Sequence, residues 1–256
     1  MKTYGKIVIA FILAGASCHG MAAETGAEPA VAPEANKAMK EIGATLRDLR
    51  DYAVEMDVST KSAVGGGRYR EFTGTVHYNV KPPSHLFARV EGQGVERQVF
   101  YDGKTITVYA PAQRVYARIE APGTIRTLLE QVKARKGIEL PIADLFAWGT
   151  AGGPMSGASR GSYSGTGTMR GRACKHYSFA EAGVSWEVWV DDEHLPCKLA
   201  MVDNKDAGLP GYRADINWST AVKSAETVFQ FTPGDGVAEV ELSQIAESDD
   251  SQEKQP

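Results

Sequence analysis

The sequence predicts an α+β protein, mainly β, built on one strongly curved antiparallel sheet whose apolar face is covered by helices. Three observations carry this. Apolar and polar residues alternate over roughly a dozen short runs, the period-two signature of half-buried strands. Turn-forming residues separate most of these runs. Three stretches break the alternation with helical spacing.

The chain has 256 residues, 43% of them hydrophobic and 23% charged, enough apolar material for a sizeable core. The formal net charge is −4 and the basic residues are scattered singly, which argues against nucleic acid as a partner.

Lys2 and Lys6 precede an apolar run, Ile7 to Ala16, and small residues follow through Gly20-Met21-Ala22-Ala23. This pattern reads as a secretory signal peptide over residues 1–23, cleaved after Ala22 or Ala23, and places the protein in the periplasm. The run is about half the length a bilayer crossing needs, so the mature chain is expected to have no transmembrane segment. Cys18 opens a minority reading, a lipid anchor, against which stands Gly15 where a lipoprotein signal has a bulky aliphatic residue. Residues 24–34 read as a flexible leader, 35–235 as one β domain, and 236–256 as a largely disordered tail rich in Glu, Asp, Ser and Gln.

The first element is an amphipathic helix with Met39, Ile42, Leu46 and Leu49 on its apolar side. Strands follow at Val54-Met56-Val58, at Phe72-Gly74-Val76-Tyr78-Val80 and at Leu86-Ala88-Val90. Asp102-Gly103 separates Val99–Tyr101 from Thr105–Val108 and predicts a type I′ hairpin turn. Gly92-Gln93-Gly94 and Pro111-Ala112-Gln113 are further turns, the last leading into a strand over 115–119. Thr124 is the expected N-cap of a second helix with Ile125, Leu128, Leu129 and Val132 as its stripe. Residues 140–148, containing Leu145, Phe146 and Trp148, read as a short apolar third helix with Pro141 in its first turn. Strands resume at 162–170, 173–180, 184–191, 196–203, 211–219 and 227–231.

Cys174 and Cys197 flank the same stretch of the strand between them, near Val190. Two strand spacings put them about 10 Å apart, beyond disulfide reach, so both are expected as free, buried thiols.

The sequence gives little sign of catalysis, and no catalytic residue, metal or cofactor is expected. Gly157-Ala158-Ser159-Arg160-Gly161 fits the Gly-x-Ser-x-Gly pattern, but glycines and a proline flank it where a nucleophile elbow has a strand and a helix. His77, His85, His176 and His194 lack zinc-ligand spacing. Asp191-Asp192-Glu193 reads as a solvated turn and departs from the calcium-loop pattern.

Several segments together resemble a known family. Lys81-Pro82-Pro83 to Arg89-Val90, Tyr101-Asp102-Gly103-Lys104 to Tyr109-Ala110-Pro111, Leu195-Pro196-Cys197-Lys198-Leu199, and Phe229-Gln230-Phe231-Thr232-Pro233 resemble, in order, four motifs of the LolA-like periplasmic lipoprotein carriers. The stretch from Ala121-Pro122 through Leu140-Pro141 to Trp148-Gly149-Thr150 is similar to an uncharacterised family of predicted periplasmic proteins, a domain of unknown function related to LolA and LolB. The resemblance implies an incomplete antiparallel β-barrel with helices covering its concave face and a cavity between them.

A sheet this curved needs more apolar filling than three short helices supply, unless it keeps a cavity. The expected function is therefore non-enzymatic binding or carriage of an apolar ligand, a lipid or a lipidated protein. The same fold used as an envelope sensor or protein-interaction module, with an envelope protein as partner, is the alternative, and a hydrolase comes third. The expected cavity and lid residues are Ile125, Leu128, Leu129, Val132, Leu145, Phe146, Trp148, Leu86, Val90, Trp186 and Trp218.

Overall fold

The computed structural model describes residues 31–133, 145, 148, 157–206 and 208–245. Helix α1 (Pro33–Asp48) precedes a six-strand meander of β1 (Tyr52–Gly65), β2 (Arg68–Lys81), β3 (His85–Gly92), β4 (Val95–Tyr101), β5 (Thr105–Ala110) and β6 (Val115–Glu120). Helix α2 (Ile125–Lys133) separates it from a second meander of β7 (Arg160–Met169), β8 (Arg172–Glu181), β9 (Val184–Val190), β10 (Pro196–Asp203) and β11 (Gly211–Ser219). A 3-10 turn (Glu226–Phe229) and β12 (Ala238–Glu239) follow.

Among the described residues, twelve strands form one open sheet in the order β12-β6-β5-β4-β3-β2-β1-β11-β10-β9-β8-β7. β1 joins the two meanders by pairing antiparallel with both β2 and β11. β12 pairs with β6 in parallel. The sheet is bent: Arg170, in the β7–β8 turn, forms an ion pair with Asp57 of β1. Strands lie about 4.8 Å apart, so a flat sheet would hold these groups far beyond the reach of one arginine.

The alternation read from sequence is the alternation of burial. In β2, Val76, Tyr78 and Val80 are buried while their neighbours are part-exposed. Two-residue turns with positive φ at both central positions close three hairpins: Gly66-Gly67, Gln93-Gly94 and Arg170-Gly171. This is the type I′ geometry whose twist suits paired strands. The expected site for it, Asp102-Gly103, is built differently. Only Gly103 has positive φ there. The Asp102 carboxylate accepts hydrogen bonds from the Lys104 and Thr105 N–H groups at 3.0 and 2.8 Å, and the side chain replaces the backbone turn.

Helix α1 begins with Pro33 in its first turn and places Glu34 near its N-terminus and Arg47 near its C-terminus, both favourable to the helix dipole. Ala35, Ala38 and Ile42 are its buried side chains, and Met39, Leu46 and Leu49 pack partly buried against the core. The N–H of Ala32 donates to the Gly161 carbonyl at 2.8 Å, tying the start of α1 to β7.

Four sequence expectations are corrected. Residues 227–231 are not a strand: Glu226–Phe229 is a 3-10 turn, and Phe229 and Phe231 pack onto the outer side of the sheet rather than entering its ladder. Phe231 meets Phe100, Tyr109 and Tyr116 with ring centroids 4.9–5.3 Å apart. Residues 236–245 are not part of a solvated tail, because Ala238 and Glu239 pair with β6 and Ile245 is buried in the core.

Cys174 and Cys197 are not free thiols; they form a disulfide with a Cα–Cα distance of 6.7 Å. The register near Val190 is as expected, with Lys175 and Pro196 both opposite it. Two features bring the cysteines together. β9 stops at Val190, so no strand separates them beyond that point, and Cys197 lies at a register shift between Pro196 and Lys198. Finally, Asp191 is buried rather than solvated. Its carboxylate accepts from the N–H groups of Glu193 and Leu195 and pairs with Arg172, holding the 191–195 turn. The expected third helix over 140–148 lies outside the described residues apart from Leu145 and Trp148.

Candidate interior binding site

The register builds the buried face row by row. One row runs Tyr52, Val80, Leu86, Tyr101, Ile106 and Ile119 across β1 to β6. The next runs Val54, Tyr78, Ala88, Val99, Val108 and Ala117. In the second meander Ala214, Leu199, Val188 and Tyr177 continue from Val58 of β1, and Met201, Trp186 and Phe179 form the neighbouring row.

Helix α2 is fixed to the end of the first row by backbone. Ala121 N–H donates to Lys104 O at 2.8 Å, Gly123 N–H to Gly103 O at 3.1 Å and Ile125 N–H to Pro83 O at 2.8 Å. These acceptors belong to the turns that precede β3 and follow β4, whose first and last residues are near Leu86 and Tyr101. Thr124 caps the helix as expected, its Oγ1 accepting from Thr127 N–H at 3.3 Å. Gly123 has φ +143°, and a Cβ there would stand 2.3 Å from Thr127 Oγ1, so the approach to the cap requires glycine.

Of the expected site residues, Ile125, Leu128, Leu129, Leu145, Trp148, Leu86 and Trp186 are buried and belong to one apolar core that includes both halves of the sheet. Val90 and Trp218 are only partly buried against it. Trp218 donates its indole N–H to Pro196 O at 2.8 Å and lies 6.0 Å from Tyr52, centroid to centroid. The Val132 side chain and all of Phe146 lie outside the described residues. Trp148 is 6.5 Å from Trp186, which stacks on Phe179 at 3.9 Å and 12°.

Sequence reasoning missed the phenols. Tyr52, Tyr78 and Tyr101 occupy alternating apolar positions of three strands and are buried. Burial raises the pKa of each, so all three stay protonated at neutral pH. Their signal was present in the runs, where tyrosine replaced an aliphatic residue on the inward side. Two polar atoms of this interior, Tyr101 Oη and Trp186 Nε1, are buried without a hydrogen-bond partner. Buried polar or charged residues among those described are Thr107 and Asp191. Asp191 holds its turn, and Thr107 alternates with the inward-facing Ile106 and Val108 on β5.

Among the described residues there is no group of three or more His, Cys, Asp or Glu side chains that could hold a metal ion. Ser159 is exposed at the start of β7, and its hydroxyl donates to Ala180 O at 3.1 Å. No helix of the described residues is long and apolar enough to cross a membrane.

These features define an open, mostly antiparallel sheet that buries one apolar, aromatic-rich face together with side chains of two helices. The chain belongs to the family described as Predicted periplasmic protein (DUF2092), whose model matches residues 35–243. This is the kind of family the resemblance at residues 121–150 implied. No curated protein matches the sequence. Among solved structures, MucB is 14% identical with a TM-score of 0.43, over 78% of this chain and 64% of that chain. The chain thus spans slightly less than two thirds of MucB. The lipoprotein LppX of Mycobacterium tuberculosis is 14% identical with a TM-score of 0.45, over 75% of this chain and 98% of that chain. LprF of Mycobacterium bovis is 12% identical with a TM-score of 0.45, over 79% and 99%.

Proposed function

We propose that the protein is a non-enzymatic periplasmic carrier that holds an apolar ligand, a lipid or the acyl part of a lipidated protein, against the buried face of its sheet. The observation that carries this reading is the make-up of the interior. Helix α2, Leu145, Trp148 and both meanders contribute side chains to it, and these are aliphatic, aromatic or phenolic. Such a surface can hold a ligand by area alone, since each buried methylene contributes about 0.8 kcal/mol. Among the described residues the buried polar or charged ones are Thr107 and Asp191. In this reading α2 with Leu145 and Trp148 is a lid that parts from the sheet to admit the chain, and residues 1–23 direct export. The disulfide is in keeping with an oxidising compartment.

Titration with a fluorescent fatty acid tests the reading. The parent protein is expected to bind the probe, and bound probe to raise the melting temperature. Leu128→Ala is expected to weaken binding clearly while lowering stability by less than the roughly 2–5 kcal/mol typical of a leucine in a dry core. A parent that binds no lipid probe at any concentration, yet captures one envelope protein, removes the carrier reading in favour of a sensor.

A further inference from the structure

We infer that Tyr101 and Trp186 are the polar contacts of the interior and that they donate hydrogen bonds to carbonyl oxygens of a neutral acyl ester or amide. This deepens the carrier reading and rests on it. Tyr101 is 0% exposed and Trp186 5%, and neither the hydroxyl of the first nor the indole N–H of the second has a partner. Other aromatic polar groups are provided for. Trp218 donates to Pro196 O, Tyr116 donates to Glu239, and Tyr69 donates to Asp206. A donor stripped of water without an acceptor destabilises the fold. Phenylalanine at position 101 would fill the same row between Leu86 and Ile106 without that cost.

The chemistry of the two groups selects the ligand. An indole N–H can only donate. Burial keeps the Tyr101 phenol protonated, and so able to donate, at neutral pH. The complementary ligand atom at Trp186 is therefore an acceptor, and at Tyr101 an acceptor is what satisfies the unpaired hydroxyl proton. It is also uncharged: no cation among the described residues is fully buried, and the half-buried Arg97 of β4 already donates to Glu96 O and Gln113 Oε1. That points to acyl chains in ester or amide linkage, ahead of free fatty acids and hydrocarbons. Tyr101 lies on β4 and Trp186 on β9, six steps apart in the strand order.

The test uses the full chain and three pyrene-labelled probes of equal chain length: a methyl ester, the free acid and the alkane. The ester is expected to bind about fivefold more tightly than the alkane, the worth of one hydrogen bond. Tyr101→Phe should be at least as stable as the parent and should lose about fivefold in ester affinity while keeping its alkane affinity. The Trp186 indole N–H resonance, assigned with Trp186→Phe, should move downfield with ester and stay in place with alkane. Equal binding of ester and alkane, or an equal loss of both in Tyr101→Phe, overturns this inference and leaves the carrier reading standing. Binding of none of the three overturns the carrier reading itself.

Discussion

At the scale of single residues, the most consequential pair is Cys174 and Cys197. Their bridge spans 23 positions of sequence and joins β8 to β10 across the end of β9. Closing a loop of that size in the unfolded chain is worth about 3 kcal/mol in the chain-entropy picture. Unfolded, unreduced protein should therefore resist alkylation at both positions, and Cys174→Ser with Cys197→Ala should lower stability by about 3 kcal/mol in denaturant titration. Two alkylated cysteines at these positions without reductant would refute the bridge. Counting strand spacings was sound, but the distance depended on where the middle strand stops and on a one-residue register shift, neither of which alternation encodes. Asp191 escaped for a related reason: nothing local distinguishes a solvated acidic turn from one whose first carboxylate folds inward onto three donors.

Two element-scale features invite measurement. Phe72 of β2 lies over the neighbouring backbone, and glycine makes room for it. A Cβ at Gly74 would stand 2.2 Å from Glu91 O and 2.7 Å from Phe72 Cζ, and one at Gly92 would stand 2.6 Å from the same ring atom. Gly74→Val, which ordinary strand preference would favour, should instead cost about 1–3 kcal/mol through overpacking. Part of the loss should return when Phe72→Ala is added, as a double-mutant cycle would show.

The segment after β11 is the second feature. Ser224 bonds the Asp51 carboxylate through its N–H and its hydroxyl, and Lys81 pairs with Glu226. The hydrogen bond from Lys81 holds Glu226 below the usual carboxylate range, and the same bond raises Lys81. A depressed carboxylate stabilises above its unfolded pKa of about 4.3 and loses that effect as pH falls through the folded value. A raised lysine stabilises below its unfolded pKa of about 10.4 and loses that effect as pH climbs through the folded value. Protection of the 226–231 amides, corrected for intrinsic exchange, should therefore be flat near neutral pH and fall at both extremes. Glu226→Gln, which removes the charge both shifts depend on, should flatten both limbs. Period two had suggested a strand here, because Phe229 and Phe231 alternate whether they face a ladder or, as they do, pack on the outside of one.

For the whole molecule, the sheet was legible and the docking of its last segment was not. Eleven of the strands follow from alternation and turn chemistry, both local signals. The docking of residues 236–245 depends on a remote groove beside β6, into which a polar sequence sends Val240, Leu242 and Ile245. Truncation after Asp235 should remove β12 and the buried Ile245 together and lower the unfolding free energy by several kcal/mol. Truncation after Ile245 should leave it near the parent value. Equal stability of all three chains would show that the segment contributes nothing. The candidate interior was legible in outline, since the stripe Ile125, Leu128 and Leu129 is buried as its spacing implied. Its polar groups were hidden, because whether a tyrosine hydroxyl finds a partner is settled by residues far away in the chain.

The strand order also sets a timetable. β1 is made first among the strands, yet one of its two edges belongs to β11, with Ala53 opposite Ser219. Each meander can form from neighbouring residues, but the seam between them waits until nearly the whole chain is present, and contacts so distant in sequence form slowly. A chain made N-terminus first therefore carries an unpaired β1 edge until β11 is made. In that interval another strand could add to it, and a holding partner would have its role then, before the sheet is joined.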